Sequence, residues 1–480
     1  MKFKNLLFLL PAFLINSSLN GQESISDIKK QVINSVETHK NELTHLSDQI
    51  WEFAETALKE YNSSKVLADY AKAQGFRVER GVADMPTAFV ASYGSGKPVI
   101  GILGEFDALP GLSQKAEPVK GVLEKGKPGH GCGHNLFGAG SMGAALAIKE
   151  QIEAGNLKGT VRFYGTPAEE AIGGKLYMAR AGMFDDLDVC LDWHPSDETK
   201  AITQSSQAII AFRVKFYGHA AHAAFDPWNG ISATDALELY TTGINYLREH
   251  VKPSVRIHYL IEAAGEAVNV VPEYASINTW VRDKDRDGMF LVYEKVKKIA
   301  EGAALMTGAE YSIDLISGIY EVLVNRTGAE VLLHNMELLG PVEYTPEEIE
   351  FAKQIQTATS KKAVGLDGTV HPLEATKEVP EGGSTDVGDI SWIVPEIRLN
   401  VTSAPKDVPW HSWAVVACGG MSIGHKSVIY SAKALAMTMV DLYQSEELRT
   451  SVRKEFEERK GDREYKAILP EGPPPIPSRE

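Results

Sequence analysis

Cys132 and His134, two residues apart in Gly129-His130-Gly131-Cys132-Gly133-His134-Asn135, place a thiol beside an imidazole. A soft thiolate next to a borderline imidazole is what zinc and related transition ions select. Two ligands are too few, because a structural zinc takes four and a catalytic one three with an open position. Further candidates follow other apolar runs: one of Glu169 and Glu170, then His194, and a late histidine for which His411 in Trp410-His411-Ser412-Trp413 is the best candidate. Two metals about 3.5–4 Å apart can clamp the attacking and leaving oxygens of a hydrolysis, activate a bridging water and polarise a carbonyl. Paired glutamates suit that chemistry. One can bind metal while its neighbour takes the water's proton and hands it to the leaving amine.

The elements that must position these residues are short apolar runs. Pro98–Gly104 empties into Glu105-Phe106-Asp107, Gly159–Gly165 into Thr166-Pro167-Ala168-Glu169-Glu170, and Asp188–Trp193 into His194-Pro195. Runs of this kind read as strands of a parallel sheet covered on both faces. In open α/β sheets ligands bind outside the carboxyl ends of strands, so residues that follow several strand ends converge on one crevice. Taken alone, Glu169-Glu170 reads as a solvated helix start and His194 as a rim histidine. Such bland readings would have to hold separately at every strand end. His39, His45, His250, His258 and His334 lack such company and read as structural, and His130 reads as a loop residue. Gly138, Gly140 and Gly143 lack the Lys-Ser/Thr of a phosphate loop and instead let a helix approach the sheet.

The fold class is therefore α/β, a catalytic domain with a central, mostly parallel sheet. Residues 206–320 interrupt it with a β-α-β-β-α-β order, the pattern of an inserted ferredoxin-like α+β module. The division is 22–205 and 321–460 for the catalytic domain, 206–320 for the inserted module, and 461–480 for a charged, Pro-rich tail. Residues 1–21 carry a basic start, a short apolar run and small or polar residues, which predicts a signal peptide cleaved near Gly21 and a secreted, periplasmic protein with no membrane segment after cleavage. Three widely spaced cysteines encode no disulfide framework. A net charge of −15, without a basic cluster, argues against a nucleic-acid partner.

The ordered motifs Phe106–Pro110, Cys132–Asn135, Pro167–Glu170, His194, Gly218–Pro227, Asn269–Pro272 and His411-Ser412 resemble the aminoacylase/carboxypeptidase-G family of metal-dependent amidohydrolases, over nearly the whole mature chain. The resemblance implies a di-metal peptidase-like site with two divalent ions, zinc or manganese, held by Cys132, His134, Glu170, His194 and His411. It implies a bridging Cys132 thiolate, Glu169 as general base, and Asp107 orienting a metal-binding imidazole. In the inserted lid and dimerisation module, His222 matches an oxyanion-stabilising histidine often supplied by a partner subunit. Asn269 and Arg282 match positions that grip a substrate carboxylate, and His219 is a decoy. Glu105 stands where relatives have His or Asp, and Asn135 where many have Asp. The expected protein is a dimer, with a possible sister subunit, that cleaves the amide of an N-acyl or aminobenzoyl amino acid. A dipeptidase or N-acyl amino acid deacylase keeps the chemistry and changes the substrate. An inactive metal-bound partner or binding subunit is the alternative of another class.

Overall fold

The computed structural model describes residues 25–477, so the expected signal peptide lies outside the described residues. Among the described residues twelve strands form two sheets: β1 (Arg77–Arg80), β2 (Phe89–Ser95), β3 (Val99–Glu105), β4 (Gly159–Thr166), β5 (Val189–Ser196), β6 (Thr199–Ala201), β7 (Ala208–Tyr217), β8 (Arg256–Ala264), β9 (Tyr274–Asp283), β10 (Glu310–Ile319), β11 (Val370–His371) and β12 (Glu396–Thr402). The larger sheet runs β1-β2-β4-β3-β5-β12-β6-β11. Its centre is parallel, β4 to β3, β3 to β5 and β5 to β12, while β1, β2 and the β12–β6 pair are antiparallel. Every residue of β3 is buried, as a strand covered on both faces requires.

The helix His134–Glu153 is buried almost all round and starts at the candidate motif. Its small residues set how closely it approaches the strands. A Cβ on Gly138 would stand 2.8 Å from the carbonyl oxygen of Glu105, and one on Gly140 would stand 2.8 Å from the Trp193 ring. Gly138→Ala would therefore push the helix that carries His134 away from the strand that carries Glu105. Gly143 serves a different contact from the one expected, because its nearest neighbours are Leu43 and Ala432 on adjoining helices.

The second sheet, β10-β7-β9-β8, is antiparallel throughout. Helices Ala233–Leu247 and Arg286–Thr307 complete a β-α-β-β-α-β order and share a separate core with Phe212, Phe216, Tyr240 and Ile277. Asp285 caps the second of these helices by accepting from Gly288 N–H, and Gly308, at φ 75°, ends it. The chain leaves the larger sheet after β6 and returns to it at β11. The segment expected as a tail lies against the body: Gly318 N–H donates to the Ile468 carbonyl at 2.8 Å, and Tyr465 hydroxyl to Asp389 at 3.0 Å. No described helix is long and apolar enough to cross a membrane.

Candidate metal centre

Two clusters of donor atoms share one thiol. Cys132, His134 and His194 form the first and Cys132, Glu170 and His411 the second, with the donor atoms of each within 4.8 Å of one another. Cys132 Sγ lies 3.4 Å from His194 Nε2, and His411 Nε2 lies 3.6 Å from Glu170 Oε2. The imidazoles are oriented from behind. His194 Nδ1–H donates to the Pro195 carbonyl at 2.6 Å, which leaves Nε2 unprotonated toward the thiol. Asp107 Oδ1 holds His134 Nδ1 at 2.9 Å, while its Oδ2 accepts from Glu170 N–H at 2.9 Å. One carboxylate thus fixes a histidine of the first cluster and the backbone of a donor residue in the second. His194 lies inside β5 instead of beyond its end, because Asn400, Val401 and Thr402 of β12 continue the pairing through Ser196.

Two left-handed residues shape the loops that carry these donors. Ala168 has φ 61° and His411 φ 55°, a region costly for residues bearing a Cβ and frequent at functional sites. Ala168 is pinned because Glu60 Oε1, fully buried, accepts its N–H at 2.9 Å, while its carbonyl accepts from Gly173 N–H at 3.1 Å. His411 N–H donates to the Gly131 carbonyl at 3.0 Å, which ties the late histidine to the Cys132 loop. Gly133 turns into the helix at φ 79°, where a Cβ would meet Pro195 at 2.9 Å.

The electrostatics are those of a crowded acidic site. Burial pushes the Glu170 carboxyl up to about 7 and the Cys132 thiol up to about 12. Burial, then Glu105, Asp386 and Glu170, holds Glu169 well above the carboxylate range. Burial and the neighbouring His134 lower His194 to about 3. Burial also pulls on His134, but Glu105, Cys132 and Asp107 overcome it and hold that imidazole well above its ordinary value. Three buried atoms here make no hydrogen bond among the described residues: Glu170 Oε1, and His134 Nε2 and Glu105 Oε2, which meet only each other, at 3.1 Å. Orphaned buried polar atoms in a carboxylate-rich site are costly without a cation between them, so the residues fit two divalent ions.

Several contributors are not evident from motif spacing. Glu105 Oε2 faces His134 Nε2 at 3.1 Å, and its other oxygen accepts from Lys175 Nζ. Glu105, His134 and Glu169 form a third donor cluster, which brings Glu169 beside the shared site. A lysine in an otherwise apolar run, Lys175-Leu176-Tyr177-Met178, was the available signal for Lys175. His130, expected in a loop, is buried and donates Nε2–H to the Ile50 carbonyl at 2.9 Å. His425 pairs with Asp48 at 2.6 Å, and Asn135 donates to Ser47 and Gly419.

A cavity of about 800 Å³ opens over the clusters, its wall including Cys132, Glu169, His194, Ser384, Arg398 and Trp410. Arg282 reaches this wall, where its Nη1 donates to Ser384 Oγ at 3.0 Å. His222 and Asn269 lie elsewhere. Both are exposed, Ala223 N–H donates to the Asn269 carbonyl, and His222 bridges Val270. They flank the start of β9, whereas Arg282 is near its end, roughly 26 Å along the strand at about 3.3 Å per residue. Asn269 therefore accompanies His222 and not Arg282. His222 Nδ1 accepts from Ala224 and Phe225 N–H at 3.2 and 3.1 Å, which leaves Nε2–H as an exposed donor.

An α/β sheet with an inserted antiparallel module and paired donor clusters at its strand ends defines a metallopeptidase-like hydrolase. Residues 101–387 match the peptidase family M20/M25/M40, and the chain belongs to that family, hydrolases of amide bonds. It is similar to one of the subunits of the p-aminobenzoyl-glutamate hydrolase of Escherichia coli (strain K12), at 37% identity over 94% of this chain and 100% of the relative. Xaa-Arg dipeptidase of Mus musculus is 30% identical over 89% of this chain and 92% of its own. A dinuclear metal binding peptidase of Bacillus subtilis shares the fold, with a TM-score of 0.58 at 17% identity over 85% of this chain and 99% of the other.

Proposed function

We propose that this protein hydrolyses the amide of an N-acyl or aminobenzoyl amino acid that carries a free carboxylate. The sharing of Cys132 by two donor clusters, with Glu169 outside both and beside His134, carries the reading. Cys132, His134 and His194 would hold one divalent ion, and Cys132, Glu170 and His411 the other, zinc or manganese. Ions so held supply carbonyl polarisation and a lowered water pKa. Asp107 keeps His134 in its ligating tautomer. Glu169 takes the proton of the attacking water and delivers it to the leaving amine. Its crowded, buried setting raises its proton affinity, as a base requires.

Arg282, resting on Ser384, takes the substrate carboxylate. His222 donates Nε2–H to the oxyanion of the tetrahedral intermediate from a second copy of the chain, with Asn269 beside it, so the working form is a homodimer. Their distance from Arg282 along β9 supports this assignment. The protein acts after secretion, in the periplasm. The Escherichia coli relative is one of two subunits of its hydrolase, which supports a sister subunit as a further partner. The dipeptidase relative favours a second reading, cleavage of dipeptides by the same groups. A mere binding protein would have no use for Glu169.

The test is release of glutamate and aminobenzoate from aminobenzoyl-glutamate by metal-loaded protein alone, abolished by chelation. Cleavage of dipeptides but not of this conjugate would favour the second reading. Cleavage of neither would sink both.

A further inference from the structure

The cavity wall contains a cation that the reaction just described does not use. Arg398 and Asn400 lie on β12, in register with Asp192 and His194 of β5, and both line the cavity. Side chains two apart on a strand share a face, so Arg398 stands one step, roughly 6.6 Å, from the level of His194. Its side chain is 12% exposed, and its Nε lies 3.3 Å from Oδ2 of the fully buried Asp192. A guanidinium carries five N–H donors in a planar fork. Among the described residues no acceptor receives a hydrogen bond from the terminal nitrogens of Arg398.

The other cations of the wall are engaged. Lys200 pairs with Glu198 at 2.8 Å and Glu374 at 3.2 Å, and Lys377 with Glu381 at 2.7 Å. Asp192 is ion-paired with the Nε side of Arg398, and Glu396, Glu105 and Glu169 also act on its charge, while the far edge of the fork carries no hydrogen bond and offers a carboxylate the two-pronged contact that arginine provides. Resting on the proposed amide hydrolysis, with the substrate's main carboxylate at Arg282, this position is on the wall of the same cavity, one strand step from the level of His194. We infer that Arg398 binds a second carboxylate, so that the amino acid released is dicarboxylic.

Metal-loaded protein is assayed with aminobenzoyl-glutamate and aminobenzoyl-glutamine, which differ only in that second carboxylate. The glutamate conjugate should be preferred in kcat/KM by about 10- to 100-fold, the range of a charge-assisted hydrogen-bonded pair, chiefly through KM. In Arg398→Gln that ratio should collapse toward one. If loss of the partner of Asp192 prevents folding, Arg398→Lys, which keeps the charge and loses the fork, should still lower the ratio several-fold. A wild-type ratio near one, or a ratio unchanged in a folded variant, overturns the inference and leaves the hydrolysis standing. Calorimetric binding of free glutamate and glutamine to the same protein reads the subsite without turnover. Tighter glutamate binding that is lost in the variant supports Arg398 even if neither conjugate is cleaved, and equal affinities overturn it.

Discussion

Lys175 and Glu105 form an ion pair at 2.6 Å with both side chains shut off from solvent. The same ammonium holds Asp386 at 2.7 Å, and the second oxygen of Glu105 faces His134. Asp386 is two residues from Ser384, which accepts from Arg282. A single buried charge therefore ties the His134 side of the centre to the loop that meets the small sheet.

Removing one partner of a buried ionic network leaves uncompensated charge, at a cost of about 3–5 kcal/mol. Lys175→Met should lose about that much in denaturant unfolding, and Lys175→Met/Glu105→Gln/Asp386→Asn should recover most of it. A single variant as stable as wild type would show that the network is not closed to water.

Glu169 and Glu170 are adjacent, but of the two only Glu170 falls in a donor cluster with Cys132 among the described residues. Glu169→Gln should keep both ions and lose about two to four orders of magnitude in turnover, the usual contribution of general acid–base catalysis. Glu170→Gln should also lose metal. Metal analysis beside initial rates decides this, and equal metal loss in both variants would cancel the assignment.

Glu60 carries a pH prediction. Burial, then Asp107, raises its carboxyl from 4.5 to about 8. The folded chain thus keeps a proton that the unfolded chain gives up near 4.5, so stability falls as pH rises from about 4.5 to about 8. Glu60→Gln can still accept from Ala168 N–H but cannot ionise. In chelator-treated protein its urea midpoint should fall less between pH 5 and pH 8 than that of wild type, and parallel decline in the two would refute the shift.

The lid assignment predicts complementation. Glu169→Gln and His222→Ala proteins, each inactive alone, should regain activity when mixed, because a mixed dimer has one site with an intact base and an intact partner histidine. Demonstrated subunit exchange without recovery would place His222 in its own chain's site or outside catalysis.

Glu169, Glu170 and His194 were legible as donors because they stand just beyond, or at the end of, an apolar run, and parallel strands deliver such positions to one crevice, whereas Cys132, His134 and His411 stand well past β3 and β12 and were legible from residue type and motif. Of Lys175 the sequence offered only a lysine in an apolar run, because its partners lie 70 and 211 positions away and its burial depends on tertiary packing. The Asn269 motif was visible, but its place at the opposite end of β9 from Arg282 follows from strand length and not from any spacing rule. The extension of β5 past His194 likewise comes from pairing with a strand some 200 residues on. Glu60 escaped notice because a glutamate at a helix start reads as solvated, whereas Ala168 and Thr87 draw it inward.

Metal stoichiometry in wild type and Cys132→Ala bears most directly on a centre built around one shared thiol. Chelator-treated wild type titrated with zinc or manganese should take up two ions per chain and gain amidase activity. Cys132→Ala should lose ions and activity together, because one substitution removes a donor from both clusters. Two ions and an undiminished rate in Cys132→Ala would contradict the shared-thiol centre.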